Sequence, residues 1–207
     1  TWAKDKTGKL RRKDDSQTCL SSSAYRITST YPVVAYQFNP IVNQFSNGAS
    51  LLIPKRGLDK EYLTMGWTVT NPIKMPVGHI EGIPDYASLT IIGIKEKTDV
   101  EVTLAYPTQA SKDGKVKAAK KGDTIKATLG PFDVLNLNSQ AGLTGQIGDL
   151  TGSRVKASKE VVVFSSVERA SVPSDLKLYS PKPPEPSGKY DVCCTEHFEQ
   201  QMFPLSS

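Results

Sequence analysis

Polar and apolar positions along this chain recur with a period of two, and spacing that would build an apolar helical stripe is almost absent. In "DVEVTLAY" Val100, Val102, Leu104 and Tyr106 alternate with polar neighbours, which sets one face on a core and the other in water. The segments "YRITST", "PVVAYQF", "ASLLI", "EYLTMGWTVT", "YASLTIIGIK", "TDVEVTLAY", "DTIKATL", "FDVLNL", "SRVKAS" and "EVVVFSS" share this β-branched character, and each predicts a strand. "LTIIGI" and "EVVVF" are apolar on both faces, as central strands of layered sheets are. The charged "KEKTD" predicts a tight reversal that pairs its two flanking segments as a hairpin. The fold class that follows is all-β, with antiparallel sandwich-like sheets. One short C-terminal helix is expected, with Thr195 as N-cap, Glu196 in the first turn, a stripe through Phe198, Gln201 and Met202, and Pro204 as its stop.

An internal echo adds to this plan. "YRITSTYPVVAYQ" aligns without gaps on "SRVKASKEVVVFS", setting Arg26 on Arg154, Val33 on Val161, Val34 on Val162 and Tyr36 on Phe164. The shared unit is a strand, a polar reversal and a buried strand, and a duplicated unit predicts equivalent places for the two buried strands. Residues 179–190, "YSPKPPEPSGKY", lack the amide hydrogens a central strand needs and read as an extended surface loop. Residues 1–18 read as a charged extension and 19–207 as one β domain. Because the chain begins with Thr1 and a charged stretch, it reads as a piece of something longer.

Charge changes little in this picture. Against 21 Asp and Glu stand 26 Lys and Arg, a net charge of +5, with both signs interspersed rather than gathered into a nucleic-acid footprint. The local excess lies in "SKDGKVKAAKKGDTIK", where Lys112, Lys115, Lys117, Lys120 and Lys121 surround an Asp113-Gly114 turn signal. It reads as a solvated hairpin tip and a candidate contact for a polyanion; without interleaved aromatic residues it is not built to stack on bases. No apolar run is long enough to span a membrane as a helix.

The candidate chemistry is sparse. Zinc needs four ligands at paired spacings, and the chain offers Cys19, Cys193, Cys194, His79 and His197. Cys194 and His197 have a tolerable spacing but no second pair nearby, so a metal-dependent ligand-binding or hydrolytic site on these two is the alternative reading. No Gly-x-Ser-x-Gly elbow, phosphate loop or dinucleotide fingerprint occurs. The residues therefore call for no catalysis and no cofactor. Three cysteines in an oxidising compartment make one bridge and leave one thiol. Cys19 precedes the first expected strand and Cys193/Cys194 the last element, so a bridge would staple the chain ends, and closing so long a loop is worth about 4 to 5 kcal/mol in the chain-entropy account.

Five motifs in order, "YRITSTYPVVAYQFNP", "FSNGASLLIP", "SLTIIGIKEKTDVEVTL", "DLTGSRVKASKEVVVFS" and "EHFEQQMFP", resemble the amino-terminal domain of IgG Fc-binding protein and its bacterial relatives, over residues 24–204. The resemblance implies a non-catalytic, extracellular, β-rich module of a large secreted or surface protein, at the outer surface or in the periplasm if bacterial. It implies a binding, adhesion or assembly role, with a protein, a surface glycan or other subunits as partner. Relatives commonly carry a His-Glu-Cys-like segment where "VERASVP" stands, so Val167 and Arg169 replace a histidine and a cysteine. That leaves Cys19 as the substitute partner of Cys194, with Cys193 the alternative or the spare thiol. In "CCTEHFEQQMFP" the expectation is then a structural end plug: Phe198, Met202 and Phe203 bury apolar area, and His197, Glu199 and Gln200 or Gln201 satisfy backbone groups at strand ends.

Overall fold

The computed structural model describes residues 18–40, 47–69, 86–140, 148–170 and 196–206. Eleven strands occur among them, in three antiparallel sheets. The five-stranded sheet contains β1 (Cys19–Ser22), β5 (Ala87–Gly93), β8 (Asp133–Asn138), β10 (Val161–Ala170) and β11 (Glu196–Gln201), in the order β1-β8-β5-β10-β11. The four-stranded sheet contains β4 (Glu61–Leu63), β6 (Thr98–Thr103), β7 (Thr124–Leu129) and β9 (Arg154–Ala157), in the order β4-β9-β6-β7. A separate hairpin joins β2 (Tyr36–Pro40) to β3 (Asn47–Leu51).

The two larger sheets bury one face each in a common core. Period-two alternation sends Leu89, Ile91, Leu135, Leu137, Val161 and Val163 inward from one sheet, and Tyr62, Val100, Val102, Leu129 and Val155 from the other. Each such aliphatic side chain contributes about 1.5 to 3 kcal/mol relative to exposure. Tyr62 also bridges the layers with its hydroxyl, which donates to the Val161 carbonyl at 2.8 Å and accepts the Asp59 amide at 3.0 Å.

The outer faces differ. On the four-stranded sheet, Arg154 pairs with Glu61 at 2.8 Å and Lys126 with Glu101 at 2.5 Å, a charged, solvated ladder. On β5 and β8 of the five-stranded sheet, the residues that alternate with the core positions are neutral. Ser88 donates to Asn138 Oδ1 at 3.0 Å, Thr90 to Asn136 Oδ1 at 2.7 Å, and Asn136 Nδ2 to Asn138 Oδ1 at 2.8 Å.

Several sequence expectations need correction. "KEKTD" does not close a hairpin: β5 and β6 belong to different sheets, and the connection is an arch between layers with Lys97 at φ 51°. Both sides of β5 are already taken, by β8 and β10, and the alternating charges of β6 need a solvated face. The C-terminal helix is instead strand β11, paired with β10. Phe198 and Met202 are four residues apart, a spacing that fits a helical turn and a strand face alike, and the side of β10 away from β5 supplied the ladder. The echo does not yield equivalent strands. Val161 and Val163 lie buried in β10, whereas Val33 and Val34 precede β2, outside any strand, and are exposed. Residues 1–17 and the proline-rich loop lie outside the described residues.

Candidate functional site

The edge of the five-stranded sheet at β11 carries the most concentrated polar chemistry among the described residues. Met202 N–H donates to the Val163 carbonyl at 2.8 Å, and Gln200 and Phe198 stand opposite Ser165 and Val167. Antiparallel bonding alternates along a strand. The main-chain groups of His197, Glu199 and Gln201 therefore point away from β10, to what would be an open edge, while Phe198 and Met202 turn their side chains to the core.

The β2–β3 hairpin caps that edge with side chains. Ser50 Oγ accepts the Gln201 amide at 3.1 Å. The Gln201 side chain, almost wholly buried at 2% exposure, accepts the Ile53 amide through Oε1 at 2.6 Å and donates through Nε2 to the Ile53 carbonyl at 3.4 Å. One carboxamide thus satisfies both main-chain groups of Ile53, as a neighbouring strand would. Gln37 Nε2 donates to Glu199 Oε1 at 2.7 Å, and His197 Nε2 stands 3.8 Å from Glu199 Oε2. Gly48 is required by close approach, since a Cβ there would stand 2.7 Å from the His197 carbonyl oxygen. Gln200 is exposed and donates to the Gln201 carbonyl at 3.0 Å, and Phe203, expected to be buried in the plug, is exposed as well, because it follows Met202 on the opposite face of the chain.

This hairpin is polar where it meets the body and apolar where it meets water. Gln37 and Ser50 are opposite one another in the register and turn toward β11, while Tyr36, Phe38 and Leu51 stand exposed on the other face.

The lysine-rich segment is an ordered excursion between β6 and β7. Thr108 and Ala119 exchange backbone bonds at its base, and the Ser111 amide donates to the Val116 carbonyl at 2.8 Å near its tip. Val116 and Ser111 are buried, pinning the tip, and Gly114 supplies the positive φ of 74°. Lys112, Lys115, Lys117, Lys120 and Lys121 are all exposed. The Ser111 hydroxyl, the Lys115 amide and the Lys115 ammonium hold the Asp113 carboxyl down at about 2.

Cys19 lies on β1, at the edge opposite β11, so four inter-strand steps, roughly 19 Å, separate the two strands. Cys193, Cys194, Thr195 and His79 lie outside the described residues. Strands β10 and β11, which flank the proline-rich loop, offer no bare edge: β10 is central and the β11 edge is capped. Among the described residues no group of three or more His, Cys, Asp or Glu is arranged to hold a metal ion.

A protein-family profile, IgGFc binding protein, matches residues 48–207. The chain belongs to the IgGFc binding protein family. Both the β11 edge and the lysine loop fall inside the match, and β2 falls just before it. The family is a binding family, and membership points to an extracellular binding module; it carries no support for a bacterial source. No curated protein and no solved structure matches the chain. No helix among the described residues is long and apolar enough to cross a membrane.

Proposed function

We propose that the chain is a non-catalytic adhesion or assembly module of a secreted or cell-surface protein, and that it meets its partner through the outer face of the β2–β3 hairpin. The observation that carries this reading is the hairpin's inverted polarity. A hairpin that only closed the sandwich would turn Tyr36 and Phe38 inward; here Ser50 is buried and Gln37 half-buried against β11, and the apolar side chains are presented. Concentrated exposed apolar area on a soluble domain marks an interaction surface. The end plug at His197–Gln201 then has the task of holding that surface in a fixed place.

A photo-cross-linker placed at Leu51 tests the reading on intact extracellular surfaces. Recovery of one partner from Leu51, and none from a cross-linker at Lys126 on the charged sheet, is the expected outcome. Equal recovery from both positions overturns it.

A further inference from the structure

The loop between β6 and β7 sorts its charges. Residues 107–123 hold five lysines, Lys112, Lys115, Lys117, Lys120 and Lys121, against two carboxylates, Asp113 and Asp123. Asp113 is taken up at the tip: it accepts the Ser111 hydroxyl at 2.7 Å and the Lys115 amide at 3.1 Å, and it pairs with the Lys115 ammonium at 3.2 Å. Asp123 turns to the main chain instead, accepting the Lys120 amide at 2.8 Å. Among the described residues no carboxylate stands within ion-pair distance of Lys117, Lys120 or Lys121.

These three lysines share one rim. Thr108 exchanges both main-chain bonds with Ala119 on one side and bridges to Ser139, just past β8, on the other, so among the described residues the stretch around Ala119 is the outermost row of a small ribbon. At Lys120 the chain turns back, its carbonyl accepting the Asp123 amide at 3.1 Å with Gly122 at φ 88°. All three lysines are exposed. Four residues reach no more than about 14 Å, so Lys117 and Lys121 lie within that span. It is comparable to the ~10 Å Debye length at 0.1 M salt, and the three charges act on an anion together. Ser111 and Val116, both buried, hold the rim in place.

We infer that this rim is a contact site for a sulfated polysaccharide, which it meets through Lys117, Lys120 and Lys121 and not through the tip. The site is separate from the hairpin: three inter-strand steps, roughly 14 Å, lie between β8 and β11. Chemistry selects the partner. Three unpaired ammonium groups in a short row call for an anion with several charges in line. Residues 107–123 contain no aromatic ring to stack on bases, and their one branched aliphatic side chain, Val116, is buried. Neither a nucleic-acid strand nor a lipid surface therefore finds its usual second contact there. Lysine carries a compact point charge on a flexible stem, which suits sulfates at irregular spacing, whereas a planar bidentate acceptor calls for arginine. Family membership points to an extracellular module, the setting in which sulfated glycan chains occur.

Binding of fluorescent heparin to the whole chain, from ~50 to ~200 mM salt, reads the number of charges engaged. Three neutralised lysines predict that log K falls against log salt with a slope of about −2 to −3, a loss of roughly 15- to 60-fold over that range. Lys117→Gln, Lys120→Gln and Lys121→Gln together should lower affinity at least ~10-fold at ~100 mM salt and flatten the slope. Lys115→Gln should change affinity less than ~2-fold, because Asp113 already pairs with that ammonium. A control with the same loss of charge at exposed positions, Lys55→Gln, Lys60→Gln and Lys156→Gln, should change it less than ~3-fold. Acetylation of the unaltered protein decides the matter should the rim variant fold poorly: heparin should shield Lys117, Lys120 and Lys121 and leave Lys55 and Lys60 reactive. No binding at ~50 mM salt, equal losses in the rim and control variants, shielding confined to other lysines, or equal binding of duplex DNA overturns the inference. Recovery of a partner at Leu51 by a chain that ignores heparin would preserve the hairpin reading while removing this one.

Discussion

Replacing Gln201 by leucine keeps nearly the same volume and removes the carboxamide that serves both main-chain groups of Ile53. The site is 2% exposed, so water does not readily replace the lost partner. A typical hydrogen bond contributes about 1 kcal/mol net, and each buried group left unsatisfied costs about 1 to 3 kcal/mol. The bond at 2.6 Å to the Ile53 amide is the stronger of the two and that at 3.4 Å to its carbonyl the weaker. The expected loss is therefore about 2 to 4 kcal/mol, a fall in melting temperature of roughly 4 to 16 °C for a chain of this size. Urea denaturation measures the first quantity and calorimetry the second, and the Ile53 amide should exchange faster in the variant. Gln200→Leu, one residue away and exposed, should change stability by less than about 0.5 kcal/mol. A Gln201→Leu protein as stable as the parent, or one in which Ile53 exchange is unaltered, would refute the claim that a side chain replaces a strand at this edge.

Other perturbations follow from the same geometry. Gly48→Ala should destabilise by about 1 to 3 kcal/mol through overpacking against the His197 carbonyl, and accelerated amide exchange confined at first to β2 and β3 would show the hairpin lifting. Tyr62→Phe leaves the Asp59 amide and the Val161 carbonyl without their partner and should cost about 1 to 3 kcal/mol in urea denaturation. Burial raises the Tyr62 pKa above its ordinary value of 10.0, so the parent should lose stability as pH rises from the unfolded value through the folded one, and Tyr62→Phe should lose less there. The Asp113 carboxyl titrates in the opposite sense. Its contacts are kept above the ordinary value of 3.8 and lost as pH falls through about 2, so the Lys115 amide should stay protected in mild acid and Asp113→Asn should release it. If the lysine loop meets a polyanion, retention on a sulfated polysaccharide should fall steeply with salt and drop on combined Lys→Gln substitution at Lys117, Lys120 and Lys121.

Much of the sandwich was legible because its signal is local. Alternation at Val100 and Val102, and the doubly apolar runs of β5 and β10, are written in consecutive residues. Pairing is a different kind of information: nothing within "KEKTD" records that β8 and β10 have already claimed both sides of β5. The C-terminal strand was missed for a related reason, because Phe198 and Met202 satisfy two periods and only the available edge of β10 chooses between them. β1 was missed because "CLSS" is short and weakly apolar. At the capped edge the polar content of "EHFEQQ" was visible, as was the need of buried polar atoms for partners, but not that Gln201 would find Ile53. The neutral ladder of Ser88, Thr90, Asn136 and Asn138 left a trace that could have been found: uncharged polar residues alternating with Leu89, Ile91, Leu135 and Leu137 mark a second face that is polar without being freely solvated.

The strand order β1-β8-β5-β10-β11 also governs how the molecule comes to exist. Only the last of its pairings joins consecutive strands, and Val161 must find Gly93 across nearly seventy intervening residues, so loop closure precedes most of the reward and assembly should be slow. A growing chain that has released Leu89 and Ile91 has to keep them from other molecules until β10 is synthesised. The sheet that gives the mature module its rigidity makes the nascent one dependent on protection.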